Sequence, residues 1–299
     1  MKRKLFSIII TMIFLASCSI LKNTEGNDNN IWIMQNVEDG VFKTDFIYPQ
    51  HDVRIENHTE KKETTVSIGN VIFEAYLAQS KYTEDAIKDV YKCINENIEI
   101  CVDRDNDSFV ITSGDNSVLH RYNTENINQS DFLTWVNEYI LDLIPDEDLS
   151  GYTQSCTTKI AVRNADSAWS ETKDGVYVPE NANETIHSYV VDLILYCNDI
   201  RTSDRISVIC NANGDITSIA YYNSAADWTN AGNKFEAGLA KLGDYIARAI
   251  SDEYKLKDYS VLRKTLVVKD SGICLQIECE IALEKDGSEI CVLCPLIIL

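Results

Sequence analysis

Asp103, Asp105 and Asp107 stand at alternate positions, the opening spacing of a calcium-binding loop. Carboxylate oxygens are the hard ligands Ca²⁺ takes, so these three form a weak candidate metal site. An EF-hand would next need glycine at 108 and an acid at 114, and the chain has Ser108 and Gly114. Between strand-like runs the acids read more simply as a solvated turn, and no other metal site and no cofactor is expected. The four histidines, His51, His58, His120 and His187, fall in no H-E-x-x-H or H-x-x-E-H pattern. Ser170 and Lys173 fit S-x-x-K, but in a polar stretch without the S-D-N or K-T-G partners of that chemistry. There is no G-x-S-x-G, Walker A or G-x-G-x-x-G. With 47 acidic residues, any carboxylate pair nominated for glycoside hydrolysis would be arbitrary. No catalytic residue is therefore nominated. Trp169 and Trp228 lie in polar stretches and are weak candidates for stacking on a sugar or other ligand.

Ten cysteines remain to be explained. Most sit inside apolar strand-like runs, as in Ile98-Glu-Ile-Cys101-Val and Ile290-Cys291-Val-Leu-Cys294, where cysteine acts as a small buried hydrophobe. Cys291 and Cys294 form the one C-x-x-C, and residues three apart on a strand point to opposite faces. Cys18 differs. It follows the cations Lys2, Arg3 and Lys4, an apolar run from Leu5 to Leu15, and the small residues Ala16 and Ser17. The apolar run is too short to span a bilayer and suits the core of a signal peptide.

The segment Leu15-Ala16-Ser17-Cys18 resembles the lipobox of bacterial lipoprotein precursors. The resemblance implies a signal peptide over 1–17, diacylglyceryl transfer to the Cys18 thiol and cleavage before it. Two acyl chains suffice for stable anchoring. Residues 18–30 are then the lipidated cysteine and a polar tether, placing the body at the extracytoplasmic face of the cell membrane. The formal charge of -20 argues against nucleic acid and against an electrostatic grip on anionic lipid. A hydrophobic content of 45% is that of a folded body.

The elements carrying these residues follow from periodicity. Thr64–Ile68, the turn Gly69-Asn70 and Val71–Gln79 predict a hairpin. Tyr91–Ile94 and Ile98–Asp103 predict another, with a helix over Ala86–Ile94 as the alternative. Ser130 can cap a helix over Asp131–Ile144, whose Phe132, Leu133, Val136, Tyr139, Ile140, Leu143 and Ile144 form one apolar face. Strands follow, including Asp204–Ala212 and Asp215–Tyr222 about the turn Asn213-Gly214. A second helix is expected from Thr229 or Asn230 to about Asp252, and then strands at Ser260–Lys269, Ile273–Leu283 and Glu289–Ile298. The expected class is α+β: a β-rich N-terminal region over 31–125, then two helix-plus-antiparallel-meander units over 126–226 and 227–299.

The stretch Ile200-Arg-Thr-Ser-Asp-Arg-Ile-Ser-Val-Ile-Cys-Asn-Ala-Asn-Gly-Asp-Ile-Thr-Ser-Ile219 resembles the strand, Asn-Gly turn and strand ending of PepSY or peptidase-propeptide-like modules. Val268–Ile290 matches more loosely. The resemblance implies a non-enzymatic role, binding an envelope protein partner or restraining a secreted peptidase. A solute- or glycan-binding lipoprotein and an envelope hydrolase with an unrecognised site are the alternatives.

Overall fold

Alternating apolar and polar residues build most of this chain into strands. The computed structural model describes residues 31–34, 40–48, 53–83, 86–114, 117–122, 129–164, 169–171, 177–179, 182–229, 231–269 and 272–299. The strands are β1 Ile31–Ile33, β2 Arg54–Asn57, β3 Glu63–Ile68, β4 Val71–Tyr82, β5 Ile87–Cys93, β6 Ile98–Asp103, β7 Phe109–Ser113, β8 Tyr152–Asn164, β9 Trp169–Glu171, β10 Tyr177–Pro179, β11 Ala182–Cys197, β12 Ile200–Asn211, β13 Ile216–Tyr222, β14 Lys255–Lys269, β15 Gly272–Lys285 and β16 Ser288–Ile298. Among the described residues three α-helices interrupt them: α1 Gln129–Leu143, α2 Glu236–Ala240 and α3 Leu242–Ala249.

These elements correct the expected α+β class. The protein is mostly β: all strands but β9 and β10 join one 14-stranded mixed sheet. Two separate helix-on-meander units do not form. The reason lies in the edges, where a meander leaves unpaired N–H and C=O groups on its outer strands. Here β13 satisfies its free edge on β7, from Ser218 opposite Thr112 to Tyr221 opposite Phe109. At its start β12 runs parallel to β14, with Arg201 opposite Thr265 and Thr202 opposite Leu266. Both hairpins expected in 64–103 are present, and Ile87–Cys93 is strand, not the alternative helix. The second expected helix is broken into a 3-10 turn, α2 and α3, with Lys241 at φ -98°, ψ 1° between the two helices. Glycines 238 and 243 each cost about 1 kcal/mol of helix propensity. Gly243 also lets α3 lie close on the sheet, since a Cβ there would stand 2.9 Å from the Tyr259 ring.

Two cores result. The strands from β3 through β7, β13, β12 and β11 to β8 curl about α1. Asn70 N–H, after β3, donates to Asp142 O at 2.7 Å. At the other end of the same run, Gln154 of β8 and Asn137 of α1 exchange amide hydrogen bonds of 2.9 and 3.3 Å. Phe132, Val136, Ile140 and Leu143 are buried inside this curl, each contributing roughly 1.5–3 kcal/mol. The second core packs Phe235, Leu242, Tyr245 and Ile246 against Leu275, Ile277, Ile281 and Leu296. The segment carrying β1 joins this second core: β1 pairs with β16, and Tyr245 Oη donates to Phe46 O at 3.2 Å.

The β3–β4 turn shows how tightly α1 is held. Gly69 has φ +54°, and a Cβ there would lie 2.3 Å from the Leu143 carbonyl oxygen. Gly69→Ala is expected to destabilise by about 2 kcal/mol, combining left-handed strain with displacement of the end of α1. Urea unfolding checks it; an unchanged midpoint would mean the turn does not clasp the helix.

Candidate functional site

The seam between the two cores is built on β12. Its residues Arg205–Cys210 pair with β13, while Arg201 and Thr202 pair with β14. Before that contact β14 is bonded to β15 on one side only. Among the described residues no strand pairs with the other edge of Lys255–Lys264. A groove of about 690 Å³ opens there, between the β11–β12 turn, α2 and this free edge. Tyr196 and Leu262 line it and are 45% and 55% exposed, so the groove has an apolar floor that water still reaches.

The charges in the groove are unequal in their compensation. Asp199 and Glu236 line it together with Arg201, Arg263 and Lys264. Arg263 is paired with Glu278 on β15. Arg205, next on the same face of β12, lies over the Tyr222 ring at 4.8 Å. Arg201 has neither device. Its Nε is buried, and its N–H donates to no partner among the described residues. Burial pushes its guanidinium pKa down, and the charges of Arg205 and Arg263 push it further the same way. A guanidinium so placed favours an incoming carboxylate, which it can hold through two parallel hydrogen bonds.

Behind the groove a buried carboxylate ties the halves together. Asp204 Oδ1 accepts from Ser224 N at 2.9 Å and Ser224 Oγ at 2.7 Å, and Oδ2 accepts from Trp228 Nε1 at 2.7 Å. Trp228 is 7% exposed and belongs to the second core, so its ring is not presented to a ligand. Trp169 begins the short ribbon β9–β10, where its backbone pairs with Pro179. Nearby, Glu147 accepts from Tyr152 at 2.9 Å and from Tyr221 at 2.6 Å.

The aspartates weighed for calcium lie in the β6–β7 turn and are used by the turn itself. Asp103 Oδ1 accepts from Asp105 N at 3.0 Å, and Asp105 Oδ2 accepts from Ile87 N at 3.0 Å. No group of three metal-ligating side chains occurs among the described residues. His120 is stacked with Tyr139 at 4.7 Å and with Trp135 at 5.1 Å, at the margin of the first core. Cys18, His51 and Lys173 lie outside the described residues.

One histidine, serine and aspartate do meet. Ser80 Oγ donates to Asp89 Oδ1 at 2.7 Å and lies 3.1 Å from His58 Nε2. The order is wrong for a hydrolase. Ser80 has spent its only proton on Asp89, so Nε2 must act as donor to Oγ. Ser80 is also wholly buried. The carboxylate is held on its far side by Arg104, through Nε at 2.6 Å and Nη2 at 2.9 Å. This is a structural polar knot, illegible in the sequence because its members come from four strands or their ends.

The described thiols are all free. Burial pushes Cys279 up to about 11, and burial assisted by neighbouring charge pushes Cys210 and Cys294 up to about 12. Thiolate is the reactive form, so these are inert. Cys291 is the exposed one. Brief alkylation of the folded protein followed by peptide mapping is expected to label Cys291 first; label on Cys279 or Cys294 at equal rate would contradict their burial.

No family model, curated protein or solved structure matches this chain.

Proposed function

We propose that this chain is a lipid-anchored surface protein that binds another protein of the cell envelope, with the seam groove as its recognition surface. One observation carries the reading: among the described residues, the unpaired edge of β14 lies beside Arg201, whose buried Nε has no hydrogen-bond partner, and beside the exposed Tyr196 and Leu262. A free strand edge offers main-chain hydrogen bonds, and adjoining side chains supply selectivity. Restraint of a secreted peptidase is one form this binding takes under the sequence resemblance. The Cys18 anchor and polar tether would keep the groove near membrane-bound partners.

The test uses the full chain in its own envelope. A photo-crosslinking residue replacing Leu262 is expected to give a discrete protein adduct, and one replacing the exposed Ile72 on β4 is not. Irreproducible or identical adducts from the two positions would count against the groove as the recognition surface. Cys18→Ala is expected to leave unprocessed precursor or to release the protein from the membrane fraction. Retained lipid modification in that variant would refute the anchor.

A further inference from the structure

Edge pairing and charge together define what the groove can hold. The free edge of β14 carries Val261 and Leu262, both large and exposed, so an added strand would cover apolar surface as well as satisfy backbone groups. The edge is not blunted by proline along Lys255–Lys264. Its end meets Arg201 of β12 and the β11–β12 turn, where the buried Arg201 Nε has no hydrogen-bond partner among the described residues. Lys264 is exposed beside it and makes no ion pair among the described residues. These features sit in a chain whose formal charge is -20, so a cationic spot is a local exception.

We infer that the seam groove takes an extended acidic peptide segment of a partner protein, which adds as a strand to the free edge of β14 and sets a carboxylate on Arg201. A small anion alone would leave the strand edge and the Leu262 shelf unused. A second copy of this chain would bring another strongly acidic body, and pairing β14 with β14 would carry Arg263 and Lys264 of each copy into the same interface. An acidic peptide answers both features at once: its backbone pairs with β14 and its charge complements Arg201. Asp199 and Glu236 at the rim then limit the number of acidic side chains accepted and disfavour a uniformly acidic tract.

This inference rests on the protein-binding reading above, and its test is separable from that one. The probe is a fluorescein-labelled decapeptide of alternating Glu and Val, titrated with the detergent-solubilised full chain and followed by polarisation. Its Lys-Val counterpart and an acidic version N-methylated at alternate residues, which cannot pair along an edge, serve as comparators. The Glu-Val peptide is expected to bind at least tenfold tighter than either, and more weakly as salt rises. Arg201→Gln is expected to weaken it at least tenfold, while Arg54→Gln on β2 leaves it unchanged. Arg201→Lys, which keeps charge but loses the planar fork, is expected to fall between. Equal binding of the acidic and N-methylated peptides would reduce the effect to charge adsorption and overturn the inference, as would no binding at all or an Arg201→Gln variant that binds as wild type. If crosslinking at position 262 yields a partner while the peptide fails, this inference alone falls. If the peptide binds as described while crosslinking yields nothing, the groove stands and its envelope partner does not.

Discussion

Arg104→Ala is expected to lower the unfolding free energy by about 2–3 kcal/mol at pH 7, a value set by the buried carboxylate it abandons. Asp89 is 4% exposed, whereas the Arg104 side chain is 45% exposed, so the loss falls short of that for a fully buried pair. The pH dependence is diagnostic. In the native protein burial alone would raise the Asp89 pKa; the hydrogen bonds from Arg104 and Ser80 and the Arg104 charge outweigh it and hold the carboxyl below its usual range. A depressed native pKa stabilises the fold above the unfolded value of about 4, and that stabilisation is lost as pH falls through the native value. Without Arg104 its hydrogen bonds and its charge are lost, and the native pKa moves upward. The ionised form then contributes less stability at neutral pH, and protonation removes that difference. The difference in urea midpoint between variant and wild type should therefore shrink between pH 7 and pH 3.5. A constant difference would mean Arg104 acts through packing and not through the Asp89 charge.

Much local structure was legible from periodicity, although the second helix, continuous by its apolar spacing, breaks at Lys241. The apolar face of α1, the turn at Gly69-Asn70 and the strands flanking Asn213-Gly214 all follow from spacing of residues near in sequence. Assembly was not legible, because it depends on which strand edges meet. Nothing in Ile216–Tyr222 distinguishes an edge left in water from one that pairs with β7, far earlier in the chain. The parallel contact of β12 with β14 spans only Arg201–Thr265 and Thr202–Leu266, yet it turns two expected units into one sheet. The groove escaped notice for the same reason. Arg201, Leu262 and Tyr196 are unremarkable in sequence, and they become a site only when that contact brings them together. A signal did exist: in the alternating stretch 200–211, Asp204 falls on the face occupied by Ile206, Val208 and Cys210. A carboxylate on an apolar face demands buried donors, and that demand marks the seam.

Asp204→Ala is the sharper test of how the halves are joined, with an expected loss of about 3–4 kcal/mol. Three donors lose their acceptor at once: Ser224 N, Ser224 Oγ and Trp228 Nε1. An unsatisfied buried donor costs about 1–3 kcal/mol, and the three losses are not additive because Ser224 can turn toward water. Asp204→Asn keeps one acceptor and should lose about half as much, since the amide group turns a donor toward groups that need an acceptor. The damage should also be uneven. Trp228 packs in the second core with Phe235 and Tyr245, whereas Ile206 and Val208, the neighbours of Asp204 on its own strand, pack in the first. Hydrogen exchange should therefore show amides of Leu242–Ala249 losing protection while those of Gln129–Leu143 keep most of theirs. A uniform loss would show that the two cores open as one unit, with β12 transmitting the defect. Uneven loss would place Asp204 as the fastener that holds the second core, and with it the edge of β14, at a fixed distance from Arg201. The groove would then depend on a carboxylate that never reaches its surface, and Asp204→Ala should weaken peptide binding at the groove even though every lining side chain is intact.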